Sequence, residues 1–156
     1  MTLHPMPRRA VMAGLAATAL APAALAQDPP RVVVSKDPTC GCCNGWVEHL
    51  RGAGFTVTVT DTDRINAVKK RHGVPDDLAS CHTAEVGGYV LEGHVPAAEV
   101  KRLLAERPQA RGLAVPGMPM GSPGMEMDGM TETYEVILFG PSGRRTYARY
   151  DGARPL

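Results

Sequence analysis

Apolar residues after position 30 are spaced in a way that predicts alternating strands and helices. The continuous β-branched run at 31–35 is typical of a buried parallel strand, and 55–60 alternates between apolar and polar residues as a half-buried strand does. Between them, apolar residues at i, i+3, i+4 and i+7 predict a helix from the cysteine-rich stretch 40–43 to Gly52, with a single apolar face. That face consists of Cys43, Trp46, Val47 and Leu50.

A second helix is predicted to follow, with a hairpin after it. The helix is expected over 62–72, because Thr62 or Asp63 can cap its first turn. The segments 83–86 and 89–92 then have strand character on either side of two glycines, which predicts a hairpin.

A third helix is predicted to start at Pro96, in the favoured first-turn position, and to end before Pro108. The resulting order is β-α-β-α-β-β-α, which is the order of the thioredoxin/glutaredoxin architecture. The expected fold class is therefore α/β, with a thioredoxin-like βαβαββα domain.

The tail from residue 112 onward has no place in this minimal fold. Two strands are predicted at 134–139 and 144–150, which gives a C-terminal β-hairpin extension. A Met-rich loop at 116–130 precedes them, held at both ends by ordered structure. Its methionines are Met118, Met120, Met125, Met127 and Met130.

The N-terminus predicts export from the cytoplasm. Arg8-Arg9 precedes an uncharged apolar run at 10–25, and the small-x-small sequence at 24–26 offers a cleavage site. We expect a signal peptide at 1–26, with an uncleaved anchor as the alternative, and a single metal-binding domain at 27–156 in the periplasm. The paired arginines fit the twin-arginine route, although the general secretory route stays open.

Charge and cysteine usage limit the classes of partner. Of the 17 basic residues, two lie in the signal peptide, which has no acidic residue, so 15 basic residues remain against 16 acidic ones. This balance indicates neither nucleic acid nor, after signal cleavage, a membrane as partner. A structural disulfide framework would spread the four cysteines over distant loops, yet three of them fall within 40–43.

The stretch Cys40-Gly41-Cys42-Cys43 supports two chemical interpretations. Cys40 and Cys43 have the spacing of a thioredoxin-type redox dithiol. The third thiol, Cys42, instead suggests a site for a soft metal ion or a small cluster. A helix N-terminus lowers the pKa of thiols and helps thiolate ligands and redox nucleophiles equally, so both interpretations stay open.

The fourth cysteine lies in the pair Cys81-His82, before the third predicted strand. In the predicted topology this loop lies beside the N-terminus of the first helix, so Cys81 is expected to meet the other cysteines. Four cysteines can form a closed zinc site, but such sites usually use two well-spaced pairs. The adjacent side chains of Cys42 and Cys43 are expected to diverge, which suits bridging between several Cu(I) ions and favours copper over zinc.

The sequence supports the histidines and Trp46 to different degrees as residues of the copper site. His82 is a candidate copper ligand because it adjoins Cys81. His49 is expected on the surface two turns down the first helix, His72 lies near a helix end where a cation is favourable, and His94 borders a turn without a clear role. Trp46 is expected in the core, where it can also shield the site.

The methionine run has neither helical nor strand spacing, and no Leu, Ile, Val or Phe lies within 118–130. Filling gaps in a core is the ordinary use of methionine and is the alternative here. Thioethers bind soft Cu(I), and they cannot be lost to disulfide formation in an oxidising compartment. We therefore expect this loop to contact metal or to cover the site as a lid.

Four stretches of this sequence together resemble one family. They are 40–43 with Trp46, Cys81-His82-Thr83, Gly93-His94-Val95-Pro96, and 115–119 followed by 121–125. The family is the CopG-like, copper-resistance-associated metal-binding domain of exported bacterial proteins, also described as a domain of unknown function. The resemblance covers about residues 31–150.

The resemblance implies a thioredoxin-like fold, a periplasmic setting and copper handling. By motif match it implies that Cys40, Cys42, Cys43 and Cys81 are the main copper-site residues. The secondary ligands that it implies are His82, Met118, Met120 and Met125.

The function expected from all of this is sequestration of Cu(I) by the cysteine cluster, with redox cycling of the copper, in copper homeostasis or resistance. Expected partners are copper ions and other periplasmic copper-handling proteins. The alternatives are a thiol-disulfide oxidoreductase that uses Cys40 and Cys43, with Cys42 or Cys81 as the resolving thiol, and a zinc-stabilised binding module without chemistry of its own.

Overall fold

The computed structural model of the protein describes residues 29–156, so the predicted signal peptide lies outside the described residues. The strands are β1 (Arg31–Lys36), β2 (Thr56–Asp61), β3 (His82–Val86), β4 (Tyr89–Glu92), β5 (Gly112–Ala114), β6 (Thr133–Gly140), β7 (Gly143–Asp151) and β8 (Arg154–Pro155). The helices are α1 (Gly41–Gly52), α2 (Ile65–His72) and α3 (Ala97–Glu106), with a short 3₁₀ turn at Asp76–Leu78. No helix within residues 29–156 combines the length and the apolar character that a membrane crossing needs.

A single mixed sheet contains all eight of these strands, in the order β2-β1-β3-β4-β5-β6-β7-β8. Strand β1 pairs in parallel with β2 and antiparallel with β3, and β3 continues into the antiparallel hairpin with β4. The α/β class and the βαβαββα order of elements up to α3 are therefore as the sequence predicts.

The strand β1 differs from its prediction, because only one of its faces is buried. Val32 and Val34 are fully buried, whereas Val33 between them is 39% exposed. The β-branched side chain of Val33 thus reflects strand propensity on a half-buried surface. The continuous apolar run had predicted burial on both faces, and that expectation is wrong.

The helix α2 also starts later than the sequence suggests. Arg64 occupies its N-cap position without a side-chain cap, so neither Thr62 nor Asp63 caps the helix. The hydroxyl of Thr62 instead accepts a hydrogen bond from the Arg64 backbone N–H, which makes a side-chain turn ahead of the helix.

The tail continues the main sheet, a connection that the sequence did not predict. The three-residue strand β5 pairs in parallel with β4 and antiparallel with β6. It passes β4 so closely that a Cβ on Gly112 would overlap the backbone of Val90. The predicted hairpin of β6 and β7 is present, and β5 joins it edge to edge with the first four strands.

The main core lies between the sheet and two of the helices. Helix α1 buries Trp46 and Leu50 completely, and α3 buries Leu103. A smaller apolar cluster consists of Val74, Leu78, Val90, Ala114 and Phe139. Since fully burying one such side chain contributes roughly 1.5–3 kcal/mol, this packing fixes the N-terminus of α1 against the sheet.

Candidate metal centre

The four cysteines meet where α1 begins and β3 begins. Cys40 is the N-cap residue of α1, and Cys42 and Cys43 lie in its first turn. Cys81 directly precedes β3, whose first residue pairs with the last residue of β1. All four sulfur atoms lie within 4.8 Å of one another, so the expected approach of Cys81 to the other three is observed.

The sulfurs differ in bonding and in exposure. Cys40 and Cys43 are joined by a disulfide, and Cys42 and Cys81 are free thiols. The Sγ atoms of Cys40 and Cys42 are 3.4 Å apart, and Cys43 is fully buried while the other three are partly accessible. The disulfide joins the two cysteines that have redox-dithiol spacing.

The side chains of Cys42 and Cys43 were expected to diverge, but they do not. Their Sγ atoms belong to the same 4.8 Å cluster, because the first turn of α1 brings both sulfurs to one end of the helix. The preference for copper over zinc therefore cannot depend on divergent thiols.

Two buried histidines complete a second group of donor atoms with Cys81. The Sγ atom of Cys81 is 3.3 Å from Nδ1 of His82 and 3.0 Å from Nε2 of His94. Both imidazoles are fully buried, with ring centroids 5.1 Å apart. The sequence left His94 as a candidate without a clear role, and this contact places it beside the cysteine cluster.

Burial keeps these imidazoles neutral. It holds the pKa of His82 well below its ordinary value of 6.5, with further lowering from the nearby His94. It also lowers the pKa of His94. Neutral imidazole is the form that binds metal. In residues 29–156, Nε2 of His82 is a buried ring nitrogen without a hydrogen-bond partner.

The thiol of Cys81 is held in its protonated form. Burial raises its pKa to about 11, and the nearby Cys42 adds to the increase. A bound soft cation would reverse this preference, because metal binding displaces the proton from a thiol ligand.

Trp46 packs against the histidine side of the site. Its ring centroid lies 4.3 Å from that of His82, and its indole N–H donates to the carbonyl of Val95 at 2.9 Å. The side chain is fully buried. Trp46 is therefore a core residue, as predicted, and it also covers His82.

The methionine loop lies against the cysteines through its first methionine. Sδ of Met118 is 4.0 Å from Sγ of Cys42. Met120 and Met125 are half-buried in the same loop, and the described residues include no comparable sulfur contact for either. Their assignment as ligands stays a prediction, as does that of the other candidates.

Close backbone packing holds the loop on α1. Gly124 has a φ of +85°, and a Cβ there would lie 2.5 Å from the Trp46 backbone nitrogen and 2.7 Å from the Cys42 carbonyl oxygen. Only glycine combines this φ with so close an approach. The carbonyl of Pro123 also accepts a hydrogen bond from Nδ1–H of His94 at 2.8 Å.

A buried charged network supports the loop that carries Cys81. The carboxylate of Glu92, fully buried, accepts hydrogen bonds from the Ser80 backbone N–H at 2.6 Å, from the Lys69 ammonium at 2.6 Å and from the Thr83 hydroxyl at 2.7 Å. Ser80 also donates from its hydroxyl to the carbonyl of Gly117. This network was not predicted from the sequence, because Lys69 and Glu92 lie 23 residues apart.

The other two histidines within residues 29–156 lie outside both groups of donor atoms. His49 is half-buried, and its Nε2 accepts a hydrogen bond from the Ala97 backbone N–H at 3.0 Å, so the expected surface position is only partly right. His72 is the last residue of α2, with Nε2 3.4 Å from a carboxylate oxygen of Glu85.

Known proteins that are similar to this chain point to one family. A family model described as "Protein of unknown function, DUF411" matches residues 78–125. No curated protein matches the chain. Two solved structures are similar to it, both described as copper resistance protein CopG. Form 2 is 45% identical with a TM-score of 0.75, over 78% of this chain and 98% of that one. Form 1 is 46% identical with a TM-score of 0.75, over 80% and 99%.

The fold and the donor groups define a mixed α/β protein with a cysteine cluster that could hold a metal ion. At this identity and coverage, the chain belongs to the CopG-like copper-resistance family.

Proposed function

We propose that this protein is a periplasmic copper-binding protein that sequesters Cu(I) through its four cysteines and cycles it between Cu(I) and Cu(II). The observation that carries the proposal is the convergence of four sulfur atoms within 4.8 Å in a chain of the CopG family. Thiolates so close together can each bridge neighbouring soft ions, which supports a multinuclear Cu(I) cluster.

The full donor set favours copper over zinc. Structural zinc sites are closed by four ligands, whereas this site adds a thioether 4.0 Å from Cys42 and imidazoles at 3.0 and 3.3 Å from Cys81. Thioether sulfur is a ligand for Cu(I). Zinc alone in protein from copper-supplemented cells would favour the zinc-stabilised module instead.

The redox part of the proposal is supported by the disulfide between Cys40 and Cys43. Joining two thiolates in a disulfide releases two electrons, and two electrons reduce two Cu(II) ions to Cu(I). In the reverse direction, two Cu(I) ions give one electron each to the disulfide, which becomes two thiolates again while the copper becomes Cu(II). This role fails if copper binds tightly but its oxidation state never changes under physiological oxidants and reductants.

The finer assignments of fold and location are part of the same proposal. The strand order β2-β1-β3-β4, with β1 and β2 parallel and β3 antiparallel to β1, supports a thioredoxin-like core. The sequence of residues 1–26 supports export to the periplasm, where other copper-handling proteins would be its partners. Fractionation of cells that express the full chain tests the location.

An anaerobic titration tests copper binding directly. Reduced mature protein, residues 27–156, is titrated with Cu(I) against a competing chromophoric chelator. We expect tight uptake of two or more equivalents. Little or no uptake would overturn the proposal.

A second candidate function is thiol-disulfide exchange, favoured by the bond between Cys40 and Cys43. It predicts exchange with a disulfide-containing model peptide, abolished by Cys40→Ser. Exchange no faster than background would remove this candidate.

A further inference from the structure

The outer part of the methionine loop exposes two methionines side by side. Met127 is 53% exposed and Met130 is 48% exposed. Five large apolar side chains are exposed among residues 29–156, and three of them are methionines of this loop. Burying a methionine contributes roughly 1.5–3 kcal/mol, so leaving two of them together in water calls for an explanation other than stability.

A tight turn fixes the pair. Met127 and Met130 form an antiparallel bridge, and the Met130 backbone N–H donates to the Met127 carbonyl at 3.1 Å. Gly129 takes a φ of +73°, as the second central residue of a type II turn does. Directly paired residues of antiparallel strands point to the same face with Cβ atoms about 4.5–5.5 Å apart. The two thioethers are therefore presented together.

The surroundings favour a cation. Met127 and Met130 border an open depression of about 300 Å³ that Glu126 and Asp128 also line. These carboxylates raise the local concentration of positive ions, and paired thioethers select soft ions among them. A pair used only for protein docking would not need the acidic neighbours.

We propose that Met127 and Met130 form a second metal site, which binds one soft monovalent cation, Cu(I) in the cell, before the ion passes to the cysteines. This inference rests on the proposed copper function. In the sequence, half-buried Met120 and Met125 lie between the pair and Met118, which contacts Cys42. Neutral thioethers bind more weakly than thiolates, so transfer toward the cysteines is downhill in free energy.

The first test uses Ag⁺, a soft monovalent ion, and protein with ¹³C-labelled methionine methyl groups. In a Cys42→Ser/Cys81→Ser variant that keeps the Cys40–Cys43 disulfide, the two remaining cysteines are bonded to each other and no free thiol is left. We expect the methyl resonances of Met127 and Met130 to shift together at the lowest Ag⁺ concentrations.

The matched variants then assign the site. Replacing Met127 and Met130 with leucine should weaken Ag⁺ binding by about tenfold or more. Replacing Met120 and Met125 with leucine removes as many thioethers from the same loop and should leave the two shifts in place. Absence of the shifts, or earlier shifts of other methionines, would overturn the proposal.

A kinetic measurement on the reduced protein tests the role in loading. The M127L/M130L variant should take up Cu(I) from a chelator several-fold more slowly than wild type, while the cysteine cluster finally retains the same number of equivalents. An unchanged rate would overturn the loading role. If wild type takes up no Cu(I), the proposed copper function fails, while the Ag⁺ shifts still decide whether the methionine pair binds a soft cation.

Discussion

Nδ1 of His94 lies 2.8 Å from the carbonyl oxygen of Pro123, which links the segment before α3 to the methionine loop. A carbonyl only accepts hydrogen bonds, so Nδ1 of His94 carries the proton. Nε2 then presents its lone pair to Cys81, whose sulfur is 3.0 Å away. The methionine loop therefore sets the tautomer of a histidine beside the cysteine cluster.

The variant His94→Ala removes both contacts at once. Because groups that orient or bind a metal site change its affinity by about 10–100-fold, we expect at least a tenfold loss of Cu(I) affinity in chelator competition. Hydrogen exchange should also become faster in the loop around Pro123. His72→Ala is the control, since His72 lies away from the cluster beside Glu85. Equal affinities in the two variants would contradict the role of His94.

Cys42 and the methionines are expected to differ in importance. Losing Met118 and Met120 together should weaken Cu(I) retention less than Cys42→Ser does, because thiolates bind with a negative charge and thioethers do not. Chelator competition on both variants measures the difference. Equal losses would mean that thioethers hold the metal as firmly as thiolates do.

The variant Gly124→Ala tests the packing of the methionine loop on α1. A Cβ at this position would lie 2.5 Å from the Trp46 backbone nitrogen, so the loop should move away from the cysteines and copper retention should fall. Gly143→Ala is the matched control, with a φ of +102° and open space around the added Cβ. It should lose only about 1 kcal/mol of stability through backbone strain and retain copper normally.

The buried pair of Lys69 and Glu92 should dominate stability among the charged residues. Removing one partner leaves an uncompensated buried charge, so Glu92→Gln is expected to cost about 3–5 kcal/mol in urea unfolding. Lys69→Met should cost less when Glu92→Gln is already present, because the two residues are coupled. Asp151→Asn breaks the surface pair with Arg154 and should cost less than about 1 kcal/mol. Additive losses from the two buried changes would contradict direct coupling.

His49 should make the apoprotein less stable in acid. Burial lowers its pKa in the folded state below 6.5, so the unfolded chain binds the proton more readily. The stability from neutral His49 is fully present above pH 6.5 and is lost as the pH falls through the folded-state pKa. In urea unfolding between pH 5 and 7, His49→Gln should reduce this pH dependence, since glutamine can accept the Ala97 N–H without titrating. If the slope of the unfolding free energy against pH is unchanged in the variant, His49 does not contribute to the pH dependence.

The sequence predicts that the four cysteines lie close together, because this conclusion needs only one inference about the topology of the sheet. Once the strand that follows Cys81 is assigned next to β1, Cys81 must lie at the end of the sheet where α1 begins. The helices and strands that this assignment depends on are long enough for the spacing of their apolar residues to be recognised. The same reasoning fails at Gly112–Ala114, because three residues have no detectable period and their pairing depends on partners far along the chain.

The sequence does not predict the role of His94 or Glu92. A histidine in a Gly-His-Val-Pro segment has the local character of a turn, and a glutamate at a strand end has the local character of a solvated residue. Their actual surroundings come from segments 13 and 12 residues away, at Cys81 and Ser80. Tertiary contacts of this kind leave no local pattern, so only the folded structure reveals them.

The methionine loop leaves and re-enters the sheet on neighbouring strands. Ala114 at the end of β5 pairs with Ile137 in β6, so the sheet fixes both ends of the connection whatever lies between them. The entropy of closing a loop grows only slowly with its length. Insertions or new ligand residues in the exposed outer turn at 127–130 can therefore be tolerated without refolding the core. Metal preference can evolve or be engineered through this outer turn, while the packed part of the loop and the cysteine cluster stay constant.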